Sequence, residues 1–142
     1  SPIQTQTYCP QPPIIIDENT YTIEELVIDV LIDNPCAQVS NVTSSTGLDF
    51  GSVNGISYFD YNDSNFPLEN GIVLSSGDVN DLPGPAGAGG FNTAWPGDPD
   101  LDDLIDQIEG AGAPSSNDAS VIEFDFVPTS DTLNFGFLVR FF

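Results

Sequence analysis

Apolar positions along the chain recur with two periods, and each period predicts its own kind of element. Ile23, Leu26, Val27, Val30 and Leu31 follow a helical stripe despite several β-branched residues, and Thr22 and Glu25 stand at capping-box spacing. This predicts a helix over about 22–33, ended before Pro35. A second stripe, Leu101, Leu104, Ile105 and Ile108, falls at i, i+3, i+4 and i+7 and predicts a buried helical face over about 99–108. From Cys36 onward the remaining apolar runs are short and separated by turn residues, which predicts strands at about 37–43, 56–61, 71–76, 119–127 and 132–141. Asn54-Gly55 and Asn70-Gly71 are turn dipeptides between them. Ile122, Phe124 and Phe126 alternate with Val121, Glu123 and Asp125; beyond V-P-T-S-D, Leu133, Phe135, Phe137, Val139 and Phe141 share one face. These last two strands should pair as an antiparallel hairpin. The expected fold is mostly β, an antiparallel, jelly-roll-like β-sandwich with two short α-helices.

Ahead of this pattern, residues 1–16 carry Pro2, Pro10, Pro12 and Pro13 and read as an extended Pro-rich N-terminal arm, leaving 17–142 as the domain. The run P-G-P-A-G-A-G-G at 83–90 lacks the surroundings of a phosphate loop. It is either a plain surface loop or one that wraps a ligand or partner.

Charge changes the picture more than size does. The 142 residues fit one domain, with 22 acidic residues against a single Arg140, no Lys and no His, for a formal net charge of -21. Nucleic acid and anionic membranes are excluded as partners through any basic patch. With hydrophobic residues at 39% and ten Phe the chain nevertheless folds rather than joining the disordered acidic class. The absence of His and Lys removes Ser-His-Asp and Cys-His catalysis, ordinary zinc sites, Schiff bases and the P-loop lysine. Paired carboxylates, as in glycoside hydrolysis, are the one mechanism left, and one of the pair would need a raised pKa.

The densest chemistry lies in W-P-G-D-P-D-L-D-D-L-I-D, Trp95 to Asp106, which holds the only tryptophan and five aspartates. Carboxylates this close repel by roughly 1 kcal/mol per pair at 4 Å in water, so something must offset them. Asp98 as N-cap, Pro99 at the first helical position and Asp100 and Asp102 at the positive end of the helix dipole would do so. So would calcium, held by Asp98, Asp100 and Asp103 with Asn117 and Asp118, since hard cations select clustered oxygens. The spacing is not that of an EF-hand, and the two readings are compatible. Glu123 and Asp125 either join this acidic group or form an ordinary solvated face.

Cys9 and Cys36 are an even count in a chain that begins at Ser1, as after signal cleavage, and suggest an extracytoplasmic disulfide. On the chain-entropy model it would stabilise by roughly 3–4 kcal/mol and pin the arm to the domain. Two buried free thiols are the alternative. No stretch approaches the roughly 20 apolar residues of a membrane span, so no direct membrane insertion is expected.

In order along the chain, N-P-C-A-Q-V-S-N-V-T-S-S-T-G (34–47), G-S-V-N-G-I-S-Y-F (51–59), S-N-F-P-L-E-N-G-I-V-L-S-S-G (64–77), W-P-G-D-P-D-L (95–101) and N-D-A-S-V-I-E-F-D-F-V-P (117–128) resemble the choice-of-anchor L domain. The likeness runs over about residues 20–138. It implies a secreted, surface-displayed module of type IX-secreting Gram-negative bacteria, often part of long adhesin-like chains, and brings no catalytic residues. It also favours a functional Trp95 loop. Members of the family continue past the aromatic strand with a segment like F-A-S-E-E-Y, whereas this chain reads F-G-F-L-V-R-F-F. A fragment, uncertainly assigned final residues, or a short variant completed by another chain would each account for that. Asp131-Thr132-Leu133 resembles the O-glycosylation motif of such bacteria, with Thr132 the acceptor; Asn41-Val-Thr43 and Asn62-Asp-Ser64 match the eukaryotic N-linked pattern by chance.

The function expected from these readings is a noncatalytic extracellular module at the bacterial cell surface, for adhesion or structural assembly and stabilised by calcium. The alternative is a carbohydrate-active enzyme or carbohydrate-binding module using paired carboxylates. Partners would be other subunits or surface ligands such as glycans. An apolar strand at Phe137–Phe142 would have an open edge, for which the arm of a neighbouring copy, with I-I-I at 14–16, is the expected donor, giving a homo-oligomer or filament by strand addition.

Overall fold

The computed structural model describes residues 12–84 and 94–139. The first helical segment opens as its sequence dictates: the Thr22 hydroxyl accepts from the Glu25 N–H at 3.2 Å, and the Glu25 carboxylate accepts from the Thr22 N–H at 2.8 Å. Only one turn is α-helical (α1, Ile23–Glu25); Leu26–Ile32 winds as a π-helix. Its last turn closes where the Asp33 N–H donates to the Ile28 carbonyl, five residues back, at 3.1 Å. Val27, Ile28, Val30 and Ile32 are β-branched, which lowers their preference for the regular α-helix. Asp33, left-handed at φ 43°, ends the segment two residues before Pro35.

Two antiparallel sheets make up the rest. Strands β1 (Ile15–Asp17), β3 (Ile56–Asp60) and β4 (Asn70–Leu74) lie in the order β1-β3-β4, while β2 (Gln38–Ser45) pairs with β5 (Val121–Val127). The π-helical segment packs against both β4 and β2, and so lies where the sheets meet. Its Leu26 and Val27 are buried with Ile56, Phe59, Val79, Trp95 and Ala119 as the core. Gly71 is opposite Phe59 in the ladder, and a Cβ there would stand 3.0 Å from the Phe59 ring, which turns edge-on to Phe66 at 5.5 Å. In β5, Ile122, Phe124 and Phe126 are half-buried and Glu123 and Asp125 exposed, the alternation expected of a one-faced strand. A bulge breaks the β2–β5 register between Ser40 and Thr43; there Asn41 takes φ 53° and its side-chain amide donates to the Asp125 carboxylate at 2.5 Å. Asp125 thus belongs to the bulge, on an exposed face.

The strand expected at 132–141 and its hairpin with 119–127 do not form within the described residues, since 132–139 carry no strand and are exposed throughout. Period-two alternation makes a segment able to be a strand but does not supply a partner, and β5 has taken β2. After Val127 the chain is tied by a 3.0 Å bond from the Asn34 amide to the Thr129 hydroxyl and passes Leu68; Leu138 and Val139 then line an apolar groove with Phe66 and Pro67. The I-I-I run pairs within this single chain, Ile15 with Asp60 and Ile16 with Phe59, so β1 begins two residues before residue 17. Pro12, Pro13 and Ile14 line the same groove as Leu138 and Val139, so the expected donor and acceptor segments meet in cis.

Candidate functional site

Trp95 is 4% exposed, and its indole is the wedge around which the acidic stretch is built. The ring N–H donates to the Ala119 carbonyl at 2.8 Å, the Trp95 backbone N–H to Asp118 Oδ1 at 2.7 Å, and the Asp118 N–H back to the Trp95 carbonyl at 2.9 Å. Asp118 reaches this position in the left-handed region, at φ 53°, which Asp tolerates better than most residues. The Trp95 ring lies on Gly47, where a Cβ would come within 2.8 Å of it and 2.3 Å of the Val53 carbonyl. Beside it the Thr46 hydroxyl accepts from the Gly55 N–H at 2.6 Å, and the Ser120 hydroxyl donates to the Ser75 carbonyl at 2.6 Å.

Two residues on, Gly97 presses against Ser116, whose carbonyl a Cβ at Gly97 would approach to 2.2 Å. Asp98 then caps helix α2 (Pro99–Glu109), its Oδ1 accepting from the Asp100 N–H at 2.9 Å and the Leu101 N–H at 3.2 Å, with Pro99 in the first turn. Ser116 locks the helix start from the other side: its hydroxyl accepts from the Asp98 N–H at 2.9 Å and bonds Asp102 Oδ1 at 2.6 Å, while its N–H donates to the same oxygen at 2.5 Å. The Ser116 hydroxyl, then its N–H, hold the Asp102 carboxyl below the ordinary carboxylate value. A depressed folded-state pKa contributes stability above the unfolded value of about 3.9, and the contribution is lost as pH falls through the folded pKa. Ser116→Ala should therefore raise the Asp102 midpoint toward the ordinary value in a carboxyl-carbon NMR titration. An unmoved midpoint would assign the shift to something other than this bond.

The five residues expected to hold calcium are gathered at one loop–helix junction but do not converge as a cage. Asp98 and Asp118 each spend an oxygen on backbone N–H groups, the Asn117 amide donates to the Ser115 carbonyl at 3.3 Å, and Asp100 and Asp103 are exposed on α2. Among the described residues no group of three or more His, Cys, Asp or Glu is placed to hold a metal ion. The partners that sequence reasoning missed, Gly47 and Ser116, carried no signal beyond small size, because each acts on a residue distant in the chain.

Elsewhere a cavity of about 270 Å³ is bordered by Asp17, Glu18, Tyr21 and Asp49 on one side and by Leu26 and Leu48 among its apolar lining. Glu18 is occupied by the amides of Asn54 and Asn80, each at 2.8 Å, and the Thr20 hydroxyl lowers the Asp17 pKa. Asp17 and Asp102 are thus both displaced downward, opposite to what a general acid needs. Cys36 is exposed and Cys9 lies outside the described residues; Thr132 stands on the exposed segment after β5. Among the described residues no helix is long and apolar enough to cross a membrane.

No curated protein and no solved structure matches the chain. The model of one family does, over residues 15–140, which takes in both sheets, the Trp95 wedge and α2. On that match the chain belongs to the choice-of-anchor L domain family, a family of cell-surface-associated modules rather than of known enzymes.

Proposed function

We propose that the chain is a noncatalytic extracellular module serving adhesion or structural assembly at the bacterial cell surface. The observation that carries this reading is the outward placement of large apolar side chains on an acidic surface: Leu104 is 50% exposed, Ile108 74%, Phe137 84% and Val139 74%. Large apolar side chains left this exposed mark surfaces that a partner covers. Its partners are other subunits or surface ligands such as glycans, and β1 offered to the β3 of another copy would join chains by strand addition.

Sedimentation at rising concentration in high salt, together with retention of chain-coated beads on immobilised glycans and surface proteins, tests the reading. Self-association or bead retention is expected. A chain that does neither, yet turns over a polysaccharide and loses that activity on a single Asp→Asn change without a lower Tm, is an enzyme instead. Calcium enters the same proposal as the counterion of Asp98, Asp100 and Asp103, with Asn117 and Asp118 beside them. At a hundred times its Kd a native-state ligand stabilises by about 2.7 kcal/mol, so the Tm should stand several degrees higher in calcium than in chelator at matched ionic strength. Superimposed melting curves would leave the carboxylates with their capping role alone.

A further inference from the structure

We propose that the exposed apolar face of α2 docks a partner protein segment whose own apolar side chains are bordered by Lys or Arg. This names a partner class for the module reading above and rests on it. The helix is fixed at one end, through the Asp98 cap and the bonds of Ser116 to Asp98 and Asp102. Beyond that end it is largely uncovered among the described residues. None of its residues is buried, and Leu101, Leu104 and Ile108 are 41%, 50% and 74% exposed, while Ile105, on the flank toward the domain, is half-buried. An isolated helix of three turns is marginal in water, and helices in proteins owe most of their stability to a packed apolar face. Here that face is formed, oriented and only partly covered by the described residues.

The charge on the rest of the helix selects the occupant. Asp100 and Glu109 border the stripe and Asp103 and Asp106 lie on the opposite face, with no basic residue among them. Asp106 and Glu109 stand in the last turn, where the helix dipole disfavours anions and a cation from outside would relieve them. A second copy cannot supply it, because each chain brings a net charge of -21 and a single Arg140. An anionic lipid surface is repelled for the same reason. A segment with apolar anchors at helical spacing and flanking Lys or Arg satisfies both the stripe and its rim.

The test uses the full chain and three synthetic helical peptides: one with leucines at i, i+3, i+4 and i+7 among lysines, one of the same composition in scrambled order, and one with glutamates for the lysines. Binding is read by fluorescence anisotropy at low and high salt. The patterned lysine peptide should bind about tenfold more tightly than the scrambled one, lose affinity in salt, and lose about tenfold on Leu104→Ser/Ile108→Ser. Both positions are exposed, so an unchanged Tm and circular dichroism spectrum verifies folding; Ile108→Ser alone, at the far end of the helix, is the milder second variant. Equal binding of patterned and scrambled peptides, or binding indifferent to both variants, overturns the proposal by reducing it to bulk charge. So does a wild-type dimer that the double variant converts to monomer, since the occupant is then a second copy. None of these results touches bead retention or polysaccharide turnover, so the module reading stands or falls separately.

Discussion

Trp95→Ala is expected to destabilise the domain by about 3–5 kcal/mol, the range for truncating a buried aromatic, and to lower its Tm by roughly ten degrees or more. The indole fills the space above Gly47, which has no Cβ because the ring and the Val53 carbonyl occupy that position. Removing the ring opens a cavity that a glycine floor cannot close, and strips the Ala119 carbonyl of its 2.8 Å donor. Trp95→Phe separates the two losses. It keeps most of the apolar area, drops the N–H, and should cost the roughly 1–3 kcal/mol of an unsatisfied buried acceptor. Denaturant unfolding followed by circular dichroism measures both, since the only tryptophan is itself being changed. A cost below about 1 kcal/mol for the alanine variant would mean that Trp95 is not part of the core.

Gly97→Ala should cost about 2–3 kcal/mol, near the top of the range for overpacking, because the added methyl would meet both the hydroxyl and the backbone carbonyl of Ser116 at 2.2 Å, and the carbonyl cannot swing away as a side chain can. The expected relaxation pushes residues 115–117 away from the loop, lengthening the Asp98–Ser116 and Asp102–Ser116 bonds together. The Asp102 carboxyl should then titrate nearer its ordinary value, which gives the variant a local signature besides its lower Tm. Gly77→Ala is the matched control: the nearest atom to its added methyl is 3.9 Å away, so stability should be almost unchanged. Equal stability of the two variants would show that Gly97 and Ser116 are not pressed together.

What could be read from the sequence was what neighbours in the chain decide. Thr22 with Glu25, and Asp98 with Pro99, act within one turn, and both helix starts fall where these residues put them. Alternation in 121–127 likewise identified which side of β5 faces inward. Partnership across the chain was not readable. Alternating apolar residues at 132–139 look as much like a strand as those of β5, yet β5 pairs with β2, and the later segment turns toward Phe66 and Pro67. The stripe on α2 was read correctly as a stripe and wrongly as buried, because period gives direction and says nothing of what lies opposite. The acidic loop shows the same division: Asp98 as a cap is local, whereas Asp118 holding the Trp95 N–H and Ser116 holding Asp102 depend on a return of the chain that no spacing announces.

The pairing of β2 with β5 also sets an order of events during synthesis. All three strands of the first sheet lie within Ile15–Leu74 and can close on one another early, but β2, made between two of them, has no ladder until Val121–Val127 emerges. Contacts so distant in sequence form slowly. For that interval Gln38–Ser45 is an open strand, rich in β-branched and hydroxyl side chains, on a chain whose first sheet is already in place. The window for mispairing therefore belongs to β2, and its length is set by how fast the acidic loop and α2 are completed behind it.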